Sequence, residues 1–250
     1  MLQSKTLKIQ SLKAETIDGM WRLFQRYYAD VDYQRFRADL AAKQQVIVLF
    51  DGDCVAGFST LLVRSMSHHG RRALAVYSGD TVIDQAYWGQ TVLQTAFFQF
   101  MIRMYLTHPL TDIYWFLISK GYKTYLLLSR NFVNHWPRHD QATPAAIAAM
   151  RDELAADMFG HDYDPASGVI RFSCPQGKLK DHVAPITAQE LQHPDIRFFA
   201  SANPGHQQGD ELCCIGKFDS ACIGYYAVKL MIKTLRNHKL AQLAKPVFGR

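Results

Sequence analysis

Apolar positions along the chain fall into strand-like runs and helix-like stripes, and their order predicts an architecture. Residues 7–12 read as a first strand. Over 14–29, Ile17, Met20, Trp21, Phe24 and Tyr28 recur at the spacing of an amphipathic helix. A second, short helix is expected over 33–42. The apolar runs 45–51 and 54–64 flank Asp51-Gly52-Asp53 and predict a β-hairpin. Ser67-His68-His69-Gly70 marks the next turn, and 72–80 the next strand. Leu93, Ala96, Phe97, Phe100, Met101 and Met104 form one helical stripe, which Pro109 ends. Length, aromatics and β-branching make 112–119 a buried strand, and a short helix is expected within 120–132.

Beyond that point the pattern thins. A helix is expected over 144–158 with Pro144 at its start. Residues 159–211 are rich in Gly and Pro and read as loops. A late strand, 212–219, and a final helix, 221–243, follow. The opening order β-α-α-β-β-β-α-β-α implies an α/β (α+β) protein with one mixed, curved sheet and helices on its faces. Residues 1–140 form the expected core, and 141–250 a C-terminal α/β portion that completes or extends the same domain.

Composition narrows the class. A chain of 250 residues, 48% hydrophobic and 20% charged, is globular and long enough to bury a sizeable core. No apolar run reaches the roughly 18–20 residues of a membrane-spanning helix. The start, MLQSKTLKIQSLKAET, lacks the apolar core of a secretory leader. The five cysteines are odd in number and form no CxxC pair, so neither a disulfide framework nor a structural zinc site is expected, and a reducing cytoplasm is the expected setting. No metal is predicted: His68-His69 lacks a third ligand at workable spacing.

The net charge of +6 is unevenly spread. Residues 220–250 hold no Asp or Glu but six Lys and Arg, equal to the whole excess. Lys229, Lys233 and Arg236 share a face of the expected helix, which reads either as a solvated face or as a dock for an acidic partner. Nucleic acid is not expected, since charges elsewhere balance and no binding motif appears.

The junction between the strand at 72–80 and the long helix carries Ala86-Tyr87-Trp88-Gly89-Gln90-Thr91. Helix starts offer unpaired N–H groups and a positive dipole end, so such junctions suit anions. With this junction in place, the element order resembles the GCN5-related N-acetyltransferase (GNAT) fold. That family's pyrophosphate loop runs Gln/Arg-x-x-Gly-x-Gly/Ala. Gly89 is kept here, whereas Ala86 and Thr91 depart from the pattern. The resemblance implies an acyltransferase that moves an acyl group from a CoA or acyl-carrier-protein thioester to an amine. Tyr87, Trp88, Gly89, Gln90 and Thr91 would hold the phosphopantetheine end of the donor. A carrier-bound donor would need less pyrophosphate grip, and an acidic carrier protein would suit the basic C-terminal helix. Two alternatives stand beside this reading: a non-catalytic GNAT-like binding module, and a second GNAT-like half after Phe132.

The resemblance also implies roles. Asp80 or Asp84, at the end of the central strand, would assist deprotonation of the amine. Tyr125 would protonate the thiolate, with Tyr122 competing for that role. His135, Trp136, Arg138 and His139 crowd into one polar stretch and would shape the pocket of a small-molecule acceptor. Each has a structural reading as well: helix cap or turn for the aspartates, core aromatic for Tyr125, and a pinned loop for Trp136-Pro137.

Overall fold

The structure, a computed structural model, describes residues 2–68, 70–174 and 176–243. The chain begins with β1 (Gln3–Lys8), α1 (Ala14–Tyr27), β2 (Tyr28–Ala29) and α2 (Tyr33–Ala41). Three long strands follow, β3 (Gln45–Asp51), β4 (Cys54–His68) and β5 (Arg71–Ile83), then α3 (Val92–Thr107), β6 (Asp112–Ser119) and α4 (Tyr122–Asn131). After these come β7 (His135–Trp136), α5 (Ala145–Phe159), β8 (Tyr163–Asp164), β9 (Val169–Ile170), β10 (Lys178–Leu179), α6 (Pro194–Ala202), β11 (Glu211–Phe218) and α7 (Ser220–Leu243).

One large sheet holds the strands in the order β1-β3-β4-β5-β6-β11-β9-β8, with β7 also paired to β11; β2 and β10 form a separate two-stranded ladder. Period-two alternation sends side chains to opposite faces. Ile47 and Leu49 pack in a cluster with α3 and α4, while Val46 and Val48 face α1 and α2. Farther along the sheet, Ala73, Ala75, Tyr114 and Phe116 pack with Met150 and Leu154 of α5. The sheet is therefore mixed α/β in its surroundings, with helices on both faces. β11 joins it directly, Cys213 opposite Ile118 and Ile215 opposite Phe116.

Residues 159–211, read as loops, hold the helix α6, and two boundaries shift. The first strand occupies Gln3–Lys8 rather than 7–12, because it is a largely exposed edge strand whose pairing with β3 leaves no apolar alternation to read. The first helix stops at Tyr27, since Tyr28 and Ala29 pair with Leu179 and Lys178. Phe98 of α3 is buried under α7: its ring stacks on Tyr226 at 3.6 Å between centroids. His69, Lys245 and Arg250, and the side chains of His68, Lys233, Arg236 and Lys239, lie outside the described residues.

What positions the site is a seam. β5 and β6 are parallel, and every other neighbouring pair is antiparallel. Their register runs from Ala73 opposite Asp112 to Ser78 opposite Leu117 and ends there. Beyond it β5 continues to Ile83 with no β6 partner, so the strands part and leave one edge of β5 open. A bulge in the β4–β5 pairing sits at the same level: Ser59 faces Thr81 and Leu61 faces Ser78, so Gly79 and Asp80 together oppose Thr60. Bulges bend a strand and re-aim its side chains. Glycine is required at 79, since a Cβ there would stand 2.6 Å from the Thr60 hydroxyl and 3.0 Å from Cε of Lys43.

Candidate functional site

The parting of β5 and β6 opens a cavity of about 370 Å³. Gly79 to Ile83 line it from β5, Ile118 from β6 and Lys120 just after it, Lys123 and Leu127 from α4, and Trp88, Gly89 and Gln90 from the junction before α3. That junction is a tight turn. The Gln90 N–H donates to the Tyr87 carbonyl (3.2 Å), Trp88 is extended (φ −61°, ψ 141°) and Gly89 has φ +86°. These are the angles of a type II turn, whose third position needs φ > 0 and hence glycine. The Trp88 indole N–H donates to the Ile83 carbonyl (2.9 Å), and Nζ of Lys123 lies 4.0 Å above the Trp88 ring, a cation–π contact.

A second cavity, about 680 Å³, adjoins the first along Gln94, Lys123 and Leu127. Thr91 lines it at the N-terminus of α3, with the cations Lys123, Arg130 and Lys229 and one carboxylate, Glu190. Lys229, the first residue of the predicted basic row, points here rather than to open solvent: its ammonium donates to the Arg130 carbonyl (2.8 Å) and to the Asn131 amide oxygen (3.0 Å).

The seam cavity ends on a polar group. Asp80, from the bulge, lies in its wall with Tyr77, Lys120 and Glu211. Lys120 Nζ is 3.1 Å from Glu211 Oε1 and donates to the Gln176 carbonyl at 3.1 Å. Burial pushes the Asp80 carboxyl up, to about 7; the Asp39 carboxylate adds to that rise, while Lys120 and Lys43 oppose it. Burial also raises Glu211, with Lys120 pulling the other way. Tyr28 lines the cavity, and burial beside Asp80 and Glu211 keeps its phenol protonated far into the alkaline range.

Of the residues the sequence points to, Asp80, Trp88, Gly89 and Gln90 meet at this cavity, and Thr91 lines its neighbour. The others are engaged elsewhere. Asp84 caps a 3₁₀ turn through the Ala86 N–H (3.1 Å) and pairs with Arg26 at 2.5 Å. The Tyr87 hydroxyl donates to Asp51 at 2.7 Å. Tyr125 is fully buried and donates to the Pro137 carbonyl (2.9 Å), and Tyr122 lines the second cavity, 3.4 Å from Glu190.

The expected acceptor stretch is likewise committed to structure. His135 and Trp136 are the strand β7, paired to Gly216 and Ile215, Arg138 makes a two-pronged pair with Asp140, and His139 contacts Asp195 at 3.0 Å. None of the four lines the seam cavity or its neighbour. Lys120 and Glu211 escaped the sequence reading. Each is a charge at the end of an apolar strand, visible as such, but their meeting depends on β11 lying beside β6.

Among the described residues no group of three or more His, Cys, Asp or Glu could hold a metal ion, and no helix is long and apolar enough to cross a membrane. No family model and no curated protein sequence matches the chain. Solved structures resemble it. An aminoglycoside acetyltransferase, meta-AAC0020, from an uncultured soil metagenomic sample and in complex with sisomicin, is 18% identical over 57% of this chain and 93% of its own, with a TM-score of 0.38. An acyl-CoA N-acyltransferase from Pseudomonas aeruginosa is 16% identical over 54% and 90% (TM-score 0.39), and Escherichia coli ElaA 15% over 58% and 95% (TM-score 0.38). The fold of this chain is GNAT-like on its own topology: the β-α-α-β-β-β opening, the parallel pair that parts at Ser78, and the turn into α3 beside the gap.

Proposed function

We propose that the protein transfers an acyl group from a CoA thioester to an amine without a covalent enzyme intermediate. One observation carries the reading: the gap between β5 and β6 joins a turn at a helix N-terminus to a carboxyl group with a raised pKa. The acyl-pantetheine arm would lie in the seam cavity along the open edge of β5, where a backbone N–H without a β6 partner is the natural donor to a thioester carbonyl. The nucleotide end would lie in the adjoining cavity, where Lys123, Arg130 and Lys229 offer charge to phosphates. That second cavity favours CoA over a carrier-protein donor, which would leave it empty.

The chemistry then balances on residues of this chain. An acceptor arriving as an ammonium gives its proton to the Asp80 carboxylate, and the freed lone pair attacks the thioester carbonyl carbon. As the C–S bond breaks, the tetrahedral adduct passes its second N–H proton to the Tyr28 oxygen while the phenol gives its own proton to the leaving thiolate, and solvent takes the proton from Asp80. The products are an amide and free CoA thiol. Measuring thiol release from acetyl-CoA with a panel of amines tests this. Wild type should release thiol only with an acceptor present, and Asp80→Asn should lose about 10²–10⁴-fold in rate. Acceptor-dependent release unchanged in Asp80→Asn would remove Asp80 from the chemistry.

A further inference from the structure

The partition made by Tyr77, Asp80, Ile118, Lys120 and Glu211 has a second side. The same five residues line a further cavity, of about 310 Å³, on the side of α1, α2 and α5. One group therefore touches both spaces, as direct transfer between a donor in one and an acceptor in the other demands.

The lining of this second space has a definite chemistry. Six carboxylates border it: Asp30, Asp32 and Asp39 at its exposed mouth, Asp162 on its side, and Asp80 and Glu211 at its floor. Among the described residues, Arg35 and Lys120 are the cations in the lining, and Lys43 and Lys178 stand behind Asp39 (2.5 Å) and Asp30 (3.5 Å). Carboxylates still outnumber cations by two, inside a chain whose net charge is +6. Between mouth and floor the walls are aromatic, with Phe24, Phe36, Tyr77, Phe159 and Phe172. Carboxylates at both ends with aromatic faces between them suit an extended molecule with cationic groups at separated points.

We infer that this cavity binds the acceptor as a linear di- or polyamine, one ammonium at Asp80 for acylation and a second held by Asp30 and Asp32 at the mouth with Asp162 on the side. The inference rests on the acyl-transfer reading and names its acceptor class. It also explains the carboxylates at the mouth, which would fix the register of the chain so that one terminal nitrogen reaches the partition. The upward push that Asp39 and Glu211 exert on Asp80 agrees with a negative potential in this space, which a bound cation relieves.

Calorimetric titration of the full chain tests it, first without donor and again with CoA present, using spermidine, hexylamine and 6-aminohexanoate. Spermidine is expected to bind, more weakly as NaCl is raised. Hexylamine should bind at least about tenfold more weakly, as expected when one ion-paired end is lost, and 6-aminohexanoate should give no measurable binding. In Asp30→Asn/Asp162→Asn, spermidine should weaken about tenfold while hexylamine barely changes. Both substitutions keep the local backbone: asparagine tolerates the φ of +56° at position 30 and retains an acceptor for the Ser173 N–H at 162. Asp32→Asn, an equally good helix cap, gives a second variant should the first fail to fold.

Hexylamine or 6-aminohexanoate binding as well as spermidine, indifference of spermidine to every one of these substitutions, or no spermidine binding in either titration overturns the inference. Acetyl-CoA titrated alone decides the acyl-transfer reading separately, so failure of one is not mistaken for failure of the other.

Discussion

The Lys120 ammonium lies 3.1 Å from the Glu211 carboxylate, across the joint between β6 and β11, with both side chains about nine-tenths buried. Breaking a buried pair costs more than the pair contributes, because the remaining charge is left without a partner. Lys120→Met should lower stability by about 3 kcal/mol at pH 8 in denaturant unfolding. Glu211 is already raised by burial, and losing Lys120 raises it further, so this loss should shrink as the pH falls and Glu211 takes up a proton. Lys120→Met/Glu211→Gln should recover much of it at pH 8. A single variant as stable as wild type at pH 8 would contradict the pairing.

Asp80 should impose a pH limb on turnover. A base works only when ionised, so kcat/KM should rise with pH and level off above about 7, the folded value of the Asp80 carboxyl. Stability runs the opposite way. In the unfolded chain an ordinary aspartate ionises near pH 4, so stability is lost as the pH climbs from about 4 to about 7. Asp80→Asn should therefore have the higher Tm at pH 8, with the difference closing toward pH 4. A flat pH–rate profile, or a less stable Asp80→Asn at pH 8, would contradict this.

Thr60 is fully buried, and its hydroxyl has no hydrogen-bond partner. Thr60→Val removes a polar group that folding desolvates without compensation and keeps the shape. Unfolding should show stabilisation of about 1 kcal/mol. In contrast, Gly79→Ala forces a methyl against that hydroxyl and the Lys43 stem and should destabilise by about 1–3 kcal/mol, as overpacking does.

The two tyrosines separate sharply. Tyr125→Phe removes a hydroxyl bonded to the Pro137 carbonyl and should lower Tm while leaving turnover within about twofold. Tyr28→Phe should do the reverse, with kcat lowered by about tenfold or more. Equal kinetics for both variants would deny Tyr28 the proton-donor role.

Much of the fold was legible in the sequence. The hairpin around Asp51-Gly52-Asp53, the run 112–119 and the α3 stripe carry their periods openly, because each buries one face or two. Gly89 stood out for a good reason: a type II turn admits little else at its third position. The proposed acceptor side was not legible. Its cavity is framed by side chains from α1–α2, the bulge in β5, the end of α5 and the first residue of β11, groups that no local pattern connects. The setting of the stretch 131–140 was hidden for a related reason. Its histidines look available in sequence, yet β11 and Asp195, both far along the chain, engage them, while Arg138 pairs with Asp140 two residues on.

Acyl transfer by this protein requires that the seam between β5 and β6 take an acyl-CoA. Titration of acetyl-CoA into the purified protein, followed by heat and by thermal unfolding, asks this directly. Saturable one-to-one binding in the micromolar range is predicted, with a Tm that climbs with ligand concentration as mass action requires. No heat and no shift in Tm up to millimolar acetyl-CoA would contradict it.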